Sequence, residues 1–266
     1  MPEGDSIHRL ALELRPLLVG KDITAFEAHT IPDADTASLV GHAVSEVEAR
    51  GKNLLVRFDD GRVLHIHLRM LGRLFVEKPR SRFYRPRTAR PQLRLAVAKT
   101  TIVGARIPVL RLLQEGREER ALAGLGPDLL GEEIDVSEAV RRLRLEDARP
   151  IGEALLLQRA IAGIGNIYKS ETLFHEGVSP FVKVRELSDE TLSKLVLRAR
   201  ELLQKNLGPG RRATRSTLAG HPYWVYGRRG KPCFRCGTIL TMTRQGAPPG
   251  RSTYHCESCQ RAQSEK

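Results

Sequence analysis

From residue 7 onward, Ile7, Leu10, Ala11, Leu14, Leu17 and Leu18 recur at spacings of three and four. That spacing predicts one apolar face of a helix, with Asp5 or Ser6 as its cap and Gly20 as its stop. Between 22 and 107 the pattern shortens to β-type runs at 23–28, 44–49, 54–58, 63–68, 73–76, 93–98 and 101–103. Asp59-Asp60-Gly61 falls between two of them as a hairpin turn. Short strands so closely spaced predict a sandwich or barrel, making the N-terminal domain all-β with a single helix. Beyond Gly124-Leu125-Gly126-Pro127 the helical period returns, at 136–145, 153–161, 166–175 and 188–207. In the last segment Leu192, Leu195, Val196, Ala199, Leu202 and Leu203 make the apolar stripe. Ser188 is its expected N-cap, and Asp189 and Glu190 suit the positive end of the helix dipole. The pattern changes at 125–132, and a cysteine-bearing unit closes the chain, dividing it into 1–125, 126–224 and 225–266.

Composition narrows the class without changing that division. Of 266 residues, 41% are hydrophobic and 28% charged, which excludes a disordered, collagen-like or coiled-coil chain. No apolar run reaches membrane-spanning length, and Glu3 and Asp5 stand where a secretory signal is basic, so a cytoplasmic protein with no membrane partner is expected. The net charge is +13, and +10 of it lies in residues 205–266. A second basic run, 78–94, holds seven Lys or Arg, no acid and three prolines, and reads as an exposed loop. Two basic regions on a chain of pI ≈ 10.1 point to a polyanionic partner, nucleic acid being the commonest.

All four cysteines lie in that basic tail, as Cys233-x-x-Cys236 and Cys256-x-x-Cys259 with 19 residues between the pairs. Each pair offers two thiolates to one tetrahedral ion, so one structural zinc is expected. Two disulfides are the alternative, disfavoured in a reducing compartment. Four sulfur ligands leave no open coordination position, so the chemistry is sought elsewhere.

Two further features carry candidate chemistry. Gly163-Ile164-Gly165-Asn166 joins two predicted helices, a turn whose backbone N–H groups can face a phosphate. Met1 precedes a small residue, Pro2, and its removal would expose a secondary amine of pKa near ~8, nucleophilic at neutral pH. Attack on an aldehydic sugar carbon would give an iminium ion, with Glu3 placed to move protons.

Taken in order, Pro2-Glu3-Gly4, Arg50-Gly51-Lys52-Asn53, His67-Leu68-Arg69-Met70-Leu71-Gly72, Gly126-Pro127-Asp128, Gly163-Ile164-Gly165-Asn166-Ile167-Tyr168 and the finger ending Cys259-Gln260 resemble the formamidopyrimidine-DNA glycosylase and endonuclease VIII family over nearly the whole chain. The resemblance implies an α+β multidomain protein: an N-terminal β-sandwich, a helix-two-turns-helix domain and a four-cysteine zinc finger. It implies Pro2 as Schiff-base nucleophile, Glu3 as general acid/base and Lys52 as the catalytic, phosphate-binding lysine. Asn166 and Arg251 would clamp the phosphates around a lesion, while Arg69, Met70 and Leu71 would fill the gap left by a flipped nucleotide. The implied partner is damaged DNA, met by a monomer.

Pro-Glu-Gly and Val47-Glu48-Ala49-Arg50-Gly51-Lys52 look more like endonuclease VIII, as does the short connection 219–224, and oxidised pyrimidines are the expected substrates. Asp5-Ser6 departs from the Pro-Glu of many relatives. Two functions of different class follow: a bifunctional glycosylase and abasic-site lyase using β,δ-elimination, or a non-catalytic binder of damaged or branched DNA. Only the first requires Pro2 and Glu3.

Overall fold

The computed structural model describes residues 2–77, 91–216 and 220–261. The chain folds as two units, Met1–Pro2 with Ser6–Ala123, and Glu3–Asp5 with Gly124–Lys266. Pro2 and Glu3, neighbours in the chain, therefore belong to different units.

Helix α1 (Gly4–Leu18) buries Ile7, Ala11, Leu14 and Leu18, the stripe expected from their spacing. It starts at Gly4, so Asp5 and Ser6 occupy its first turn instead of capping it. Gly20, at φ +74°, carries the chain out of the helix and donates its N–H to the Val44 carbonyl at 2.8 Å. Among the described residues eight strands follow: β1 (Ile23–Ala28), β2 (Val44–Arg50), β3 (Asn53–Phe58), β4 (Val63–His67), β5 (Arg73–Glu77), β6 (Leu93–Val97), β7 (Thr100–Ala105) and β8 (Val109–Leu113). They form two antiparallel sheets, ordered β1-β6-β7-β5 and β2-β3-β4-β8. Phe26, Val97 and Ile102 of one sheet share a core with Leu54, Val56, Leu64 and Ile66 of the other and with the α1 stripe. Each such side chain contributes roughly 1.5–3 kcal/mol by leaving water.

Three elements escape the periodicity. Strand β8 centres on Arg111 and buries only Leu110, so its residues show no clean alternation. Helices α2 (Asp33–Ala37) and α3 (Glu118–Leu122) are too short to display a period. Of the basic run, residues 78–90 lie outside the described residues. Arg94 belongs to β6, where it meets Glu77 at 3.1 Å, so the run does not stay loop to its end.

The second unit contains α4 (Val136–Arg144), α5 (Ile151–Ala154), α6 (Asn166–His175), α7 (Asp189–Gln204) and the hairpin of β9 (Thr241–Gln245) and β10 (Arg251–His255). Asp135 caps α4 through the Glu138 N–H at 2.8 Å, and Ser188 caps α7 through the Thr191 N–H. The helix expected over 153–161 is found only as α5, because 155–161 turns back along the Gly126-Pro127-Asp128 motif. There the Gly126 N–H donates to the Gln158 carbonyl and the Ala162 N–H to the Pro127 carbonyl. Leu155, Ala160 and Ile161 are buried in these turns, so their apolar spacing reflects burial without a helix. A Cβ on Gly126 would sit 2.3 Å from the Ala160 oxygen, which is why this motif needs glycine. Among the described residues no helix is long and apolar enough to cross a membrane.

Leu14→Ala should destabilise the first unit by about 2–5 kcal/mol in urea unfolding, whereas Leu12→Ala, on the exposed face of the same helix, should change it by no more than about 0.5 kcal/mol.

Candidate functional site

Helix α6 has no capping side chain of its own, since its N-cap is Gly165. The cap comes from the beginning of the chain. The buried Glu3 carboxylate accepts from Gly165 N and Ile167 N at 2.9 Å each and from Tyr168 N at 3.3 Å. Gly4 N donates to the Gly163 carbonyl at 2.9 Å, and Gly163 takes φ +106° to present it. A Cβ on Gly165 would lie 2.3 Å from Glu3 Cδ, so both glycines of the turn are required by this docking. The N–H groups expected to face a phosphate are thus directed at a carboxylate of the same chain, the group a helix N-terminus favours.

The next residues along this start are also held. Asp5 meets Arg212 through two bonds of 2.6 Å, and the guanidinium lies over the Tyr168 ring at 5.5 Å. Burial and the Asp5 charge push the Tyr168 hydroxyl far above its ordinary range. Asp5 is therefore the anchor of the segment that follows α7.

Beyond its first turn α6 is buried on every side, and Lys169, Ser170 and Glu171 each hold another segment. Lys169 Nζ donates to the Ser252 carbonyl at 3.0 Å and to Thr253 Oγ1 at 2.6 Å, while Ser170 Oγ accepts from Tyr254 N. The Glu171 carboxylate accepts from Trp224 N, Val225 N and Tyr226 N at 2.8–2.9 Å, and from the Thr214 hydroxyl. Asn166 opens this helix, buried at its N-terminus, and Arg251, exposed, opens β10 beside it. Lys169 and Glu171 are absent from the expected site because charged residues on a short helix ordinarily read as solvated. The signal for them is that α6 carries no continuous polar face in sequence.

In the first unit, Pro2 lines a cavity of about 500 Å³ together with Ser6, Leu10, Leu68, Gly72 and Phe75. Leu68 and Gly72 flank the Arg69-Met70-Leu71 turn, so the residues on either side of the expected wedge share this cavity with the expected nucleophile. Met70 and Leu71 are 59% and 64% exposed, which removes Met70 from the core, and Arg69 adopts φ +45°. Lys52 stands with Gly51 in the two-residue turn joining β2 to β3, where Gly51 supplies φ +57°. It is thus presented at a hairpin tip. Asn53 fixes that turn by donating to the Arg50 carbonyl at 3.0 Å, and meets His65 Nε2 at 2.9 Å. Burial, with the nearby Lys52 charge, pushes His67 down to about 4, so it is neutral near pH 7. Its Nδ1 accepts from Arg69 N at 3.1 Å.

The four cysteine sulfurs lie within 4.8 Å of one another, with Cys233–Cys259 at 3.9 Å and Cys236–Cys256 at 3.5 Å. Tetrahedral ligands about 2.3 Å from an ion stand about 3.8 Å apart, so the spacing fits. Arg235 N points at Cys233 Sγ at 3.4 Å, and Gly237, at φ +78°, closes the first knuckle. Around them Phe174, Val225 and Leu240 form a small core, on which Trp224 stacks against Phe174 at 5.6 Å. The set can hold one tetrahedral metal ion.

Family models for the formamidopyrimidine-DNA glycosylase N-terminal domain and the formamidopyrimidine-DNA glycosylase H2TH domain match residues 1–107 and 125–217. The chain is 42% identical over 262 residues to a probable endonuclease 8 2 of Streptomyces coelicolor, covering 98% of this chain and 94% of that one. It is 38% identical to the DNA-(apurinic or apyrimidinic site) lyase Nei2 of Mycolicibacterium smegmatis, covering 98% and 100%. The fold matches Lactococcus lactis Fpg (MutM), solved with DNA containing N7-benzyl-Fapy-dG, at TM-score 0.82, 27% identity and coverage of 97% and 99%.

Gly165→Ala should cost the second unit about 2–4 kcal/mol in urea unfolding, because the added methyl displaces a buried, hydrogen-bonded carboxylate. Gly208→Ala, with nothing within 4 Å, should be neutral to within about 0.5 kcal/mol. Equal effects would show that the Glu3 docking contributes nothing.

Proposed function

Because the chain belongs to the formamidopyrimidine-DNA glycosylase and endonuclease VIII family, on its endonuclease VIII branch, we propose that it excises oxidised bases from DNA and cleaves the resulting abasic site. The observation that carries this reading is that Pro2, the candidate amine nucleophile, lines the same cavity as Leu68 and Gly72, the residues on either side of the exposed Arg69-Met70-Leu71 turn. A binder without chemistry would have use for the wedge but none for the amine.

In the proposed mechanism, removal of Met1 frees the Pro2 nitrogen, which attacks C1′ of the damaged nucleotide as the bond to the base breaks. Glu3 moves protons during opening of the deoxyribose ring, its carboxylate oriented by three backbone N–H groups. Nitrogen loses its proton and forms an iminium ion. That ion draws electrons from the sugar, so a C2′ proton is lost and the 3′ phosphate leaves. A second elimination expels the 5′ phosphate, and water releases the proline. Lys52, at its hairpin tip, binds phosphate. Asn166 and Arg251 grip the backbone around the flipped nucleotide. Met70 and Leu71 occupy the vacated stack, and Arg69 meets the orphaned base.

The four-cysteine cluster is proposed to hold one zinc ion, which supplies folding energy to the finger and takes no part in bond-making. The chain is proposed to work as a monomer in the cytoplasm, on the nucleoid if bacterial, with a three-part organisation of 1–125, 126–224 and 225–266. Of the connection 219–224 that suggested pyrimidine substrates, residue 219 lies outside the described residues, as do 217 and 218.

Borohydride added during reaction with abasic-site DNA should leave a protein–DNA adduct that peptide mapping assigns to Pro2, and Pro2→Gly should lose most of it. An adduct on Lys52 overturns the assignment, and a chain that binds without any adduct is the non-catalytic binder. Cys256→Ser should release the zinc detected by metal analysis and weaken DNA binding with it, since so small a unit folds on its ion. Thymine glycol should be released at least roughly tenfold faster than 8-oxoguanine opposite cytosine in single turnover, equivalent to about 1.4 kcal/mol in the barrier. The reverse order refutes the pyrimidine preference.

A further inference from the structure

Lys169 is a fully buried lysine whose ammonium is met by two uncharged acceptors, the Ser252 carbonyl and Thr253 Oγ1. Both belong to β10, immediately after Arg251. Lys169 also follows Asn166 by three positions on α6, so the two lie on one side of that helix. Lys169 therefore ties the helix that carries Asn166 to the strand that Arg251 opens, alongside the bond from Tyr254 N to Ser170 Oγ three residues beyond Arg251. The other buried charge of this helix, Glu171, holds the 224–226 segment instead. We propose that Lys169 is the positioning residue of the DNA clamp, fixing β10 against α6 so that Arg251 and Asn166 meet the same stretch of phosphate backbone. This rests on the DNA-repair reading above.

The choice of lysine adds a consequence. Facing its ammonium are Glu3 from the chain start, Glu153 from α5 and Arg251 from β10, with Thr253 in direct contact. Burial pushes Lys169 down to about 7. Arg251 pushes in the same direction, and Glu3 and Glu153 oppose them. A phosphate seated on Arg251 neutralises that repulsion and favours the protonated lysine. Binding of DNA then takes up a proton, and affinity declines as pH rises above about 7.

The test is anisotropy titration of a duplex carrying a tetrahydrofuran abasic analogue, at pH of about 6.5 and about 8.5, with wild type, Lys169→Met, Arg251→Ala and the double variant. Lys169→Met should weaken binding about tenfold at the lower pH and about threefold or less at the higher, narrowing the wild type's own pH dependence. The double variant should bind within about twofold of Arg251→Ala, because the lysine acts through the arginine. Additive losses in the double variant, or wild-type binding by Lys169→Met, overturn the proposal. Zinc content reports whether Lys169→Met keeps its finger. Should it fail to fold, Lys169→Arg decides: it keeps donors but does not titrate, so its binding should match wild type at the lower pH and stay flat. A wild-type decline in that variant overturns the proposal. Wild-type borohydride trapping separates the two levels. Without trapping or abasic-site binding the repair reading fails, whereas trapping with unaltered Lys169 variants removes only this inference.

Discussion

A carboxylate at the third residue of the chain, seated on the N-terminus of a helix that begins at residue 166, is the interaction on which the second unit's arrangement depends. Four orphan N–H groups open any helix, and α6 starts on a glycine that cannot satisfy them. Glu3 supplies the acceptors, and the geometry explains its neighbours. Gly165 leaves room for the carboxylate, Gly163 turns its carbonyl toward Gly4, and Asp5 continues the anchoring through Arg212. Pro2 is one peptide bond from this anchor. The residue proposed as nucleophile is consequently tethered to a fixed point instead of lying on a frayed terminus.

The same helix extends the logic through its other side chains. A short helix buried on all sides would normally be apolar, since each unpaired polar group in such a place costs several kcal/mol. Here Lys169, Ser170 and Glu171 are each paired with main-chain atoms of a distant segment. Burying charge in this way is a poor route to stability, but removing one partner from a buried, hydrogen-bonded charge costs about 3–5 kcal/mol, so the arrangement is sharply specified. What it specifies is the placement of β10 and of the 224–226 segment, which leads into the four-cysteine finger. The finger's own small core of Phe174, Val225 and Leu240 then needs only the sulfur cluster to close it.

Where chemistry is local, the sequence is a good guide. The α6 bounds agree with the predicted 166–175, β1 with 23–28, and α7 carries the expected stripe and cap. The cysteines come together because two rigid knuckles and a hairpin leave them few alternatives. Long-range pairing is where legibility ends. The apolar spacing of 153–161 mimics a helix but comes from turns packed against 126–129. The turn at 163–166 looks available to a ligand until Glu3, more than 160 residues away in sequence, is seen occupying it. Lys169 and Glu171 look like surface charge because their partners lie on β10 and at 224–226, whose approach no local pattern announces. The resemblance of motifs supplies residue identities at the site, whereas the reasons those residues hold their positions come from hydrogen bonds between distant segments.

Amide hydrogen exchange tests this dependence directly. In the wild type the Gly165, Ile167 and Tyr168 amides should be strongly protected. In Glu3→Ala they should exchange at least about a hundredfold faster, together with amides of β10, while those in the middle of α7 keep their rates. Unchanged protection at 165, 167 and 168 in Glu3→Ala would contradict the account, because the helix would then be capped without the carboxylate.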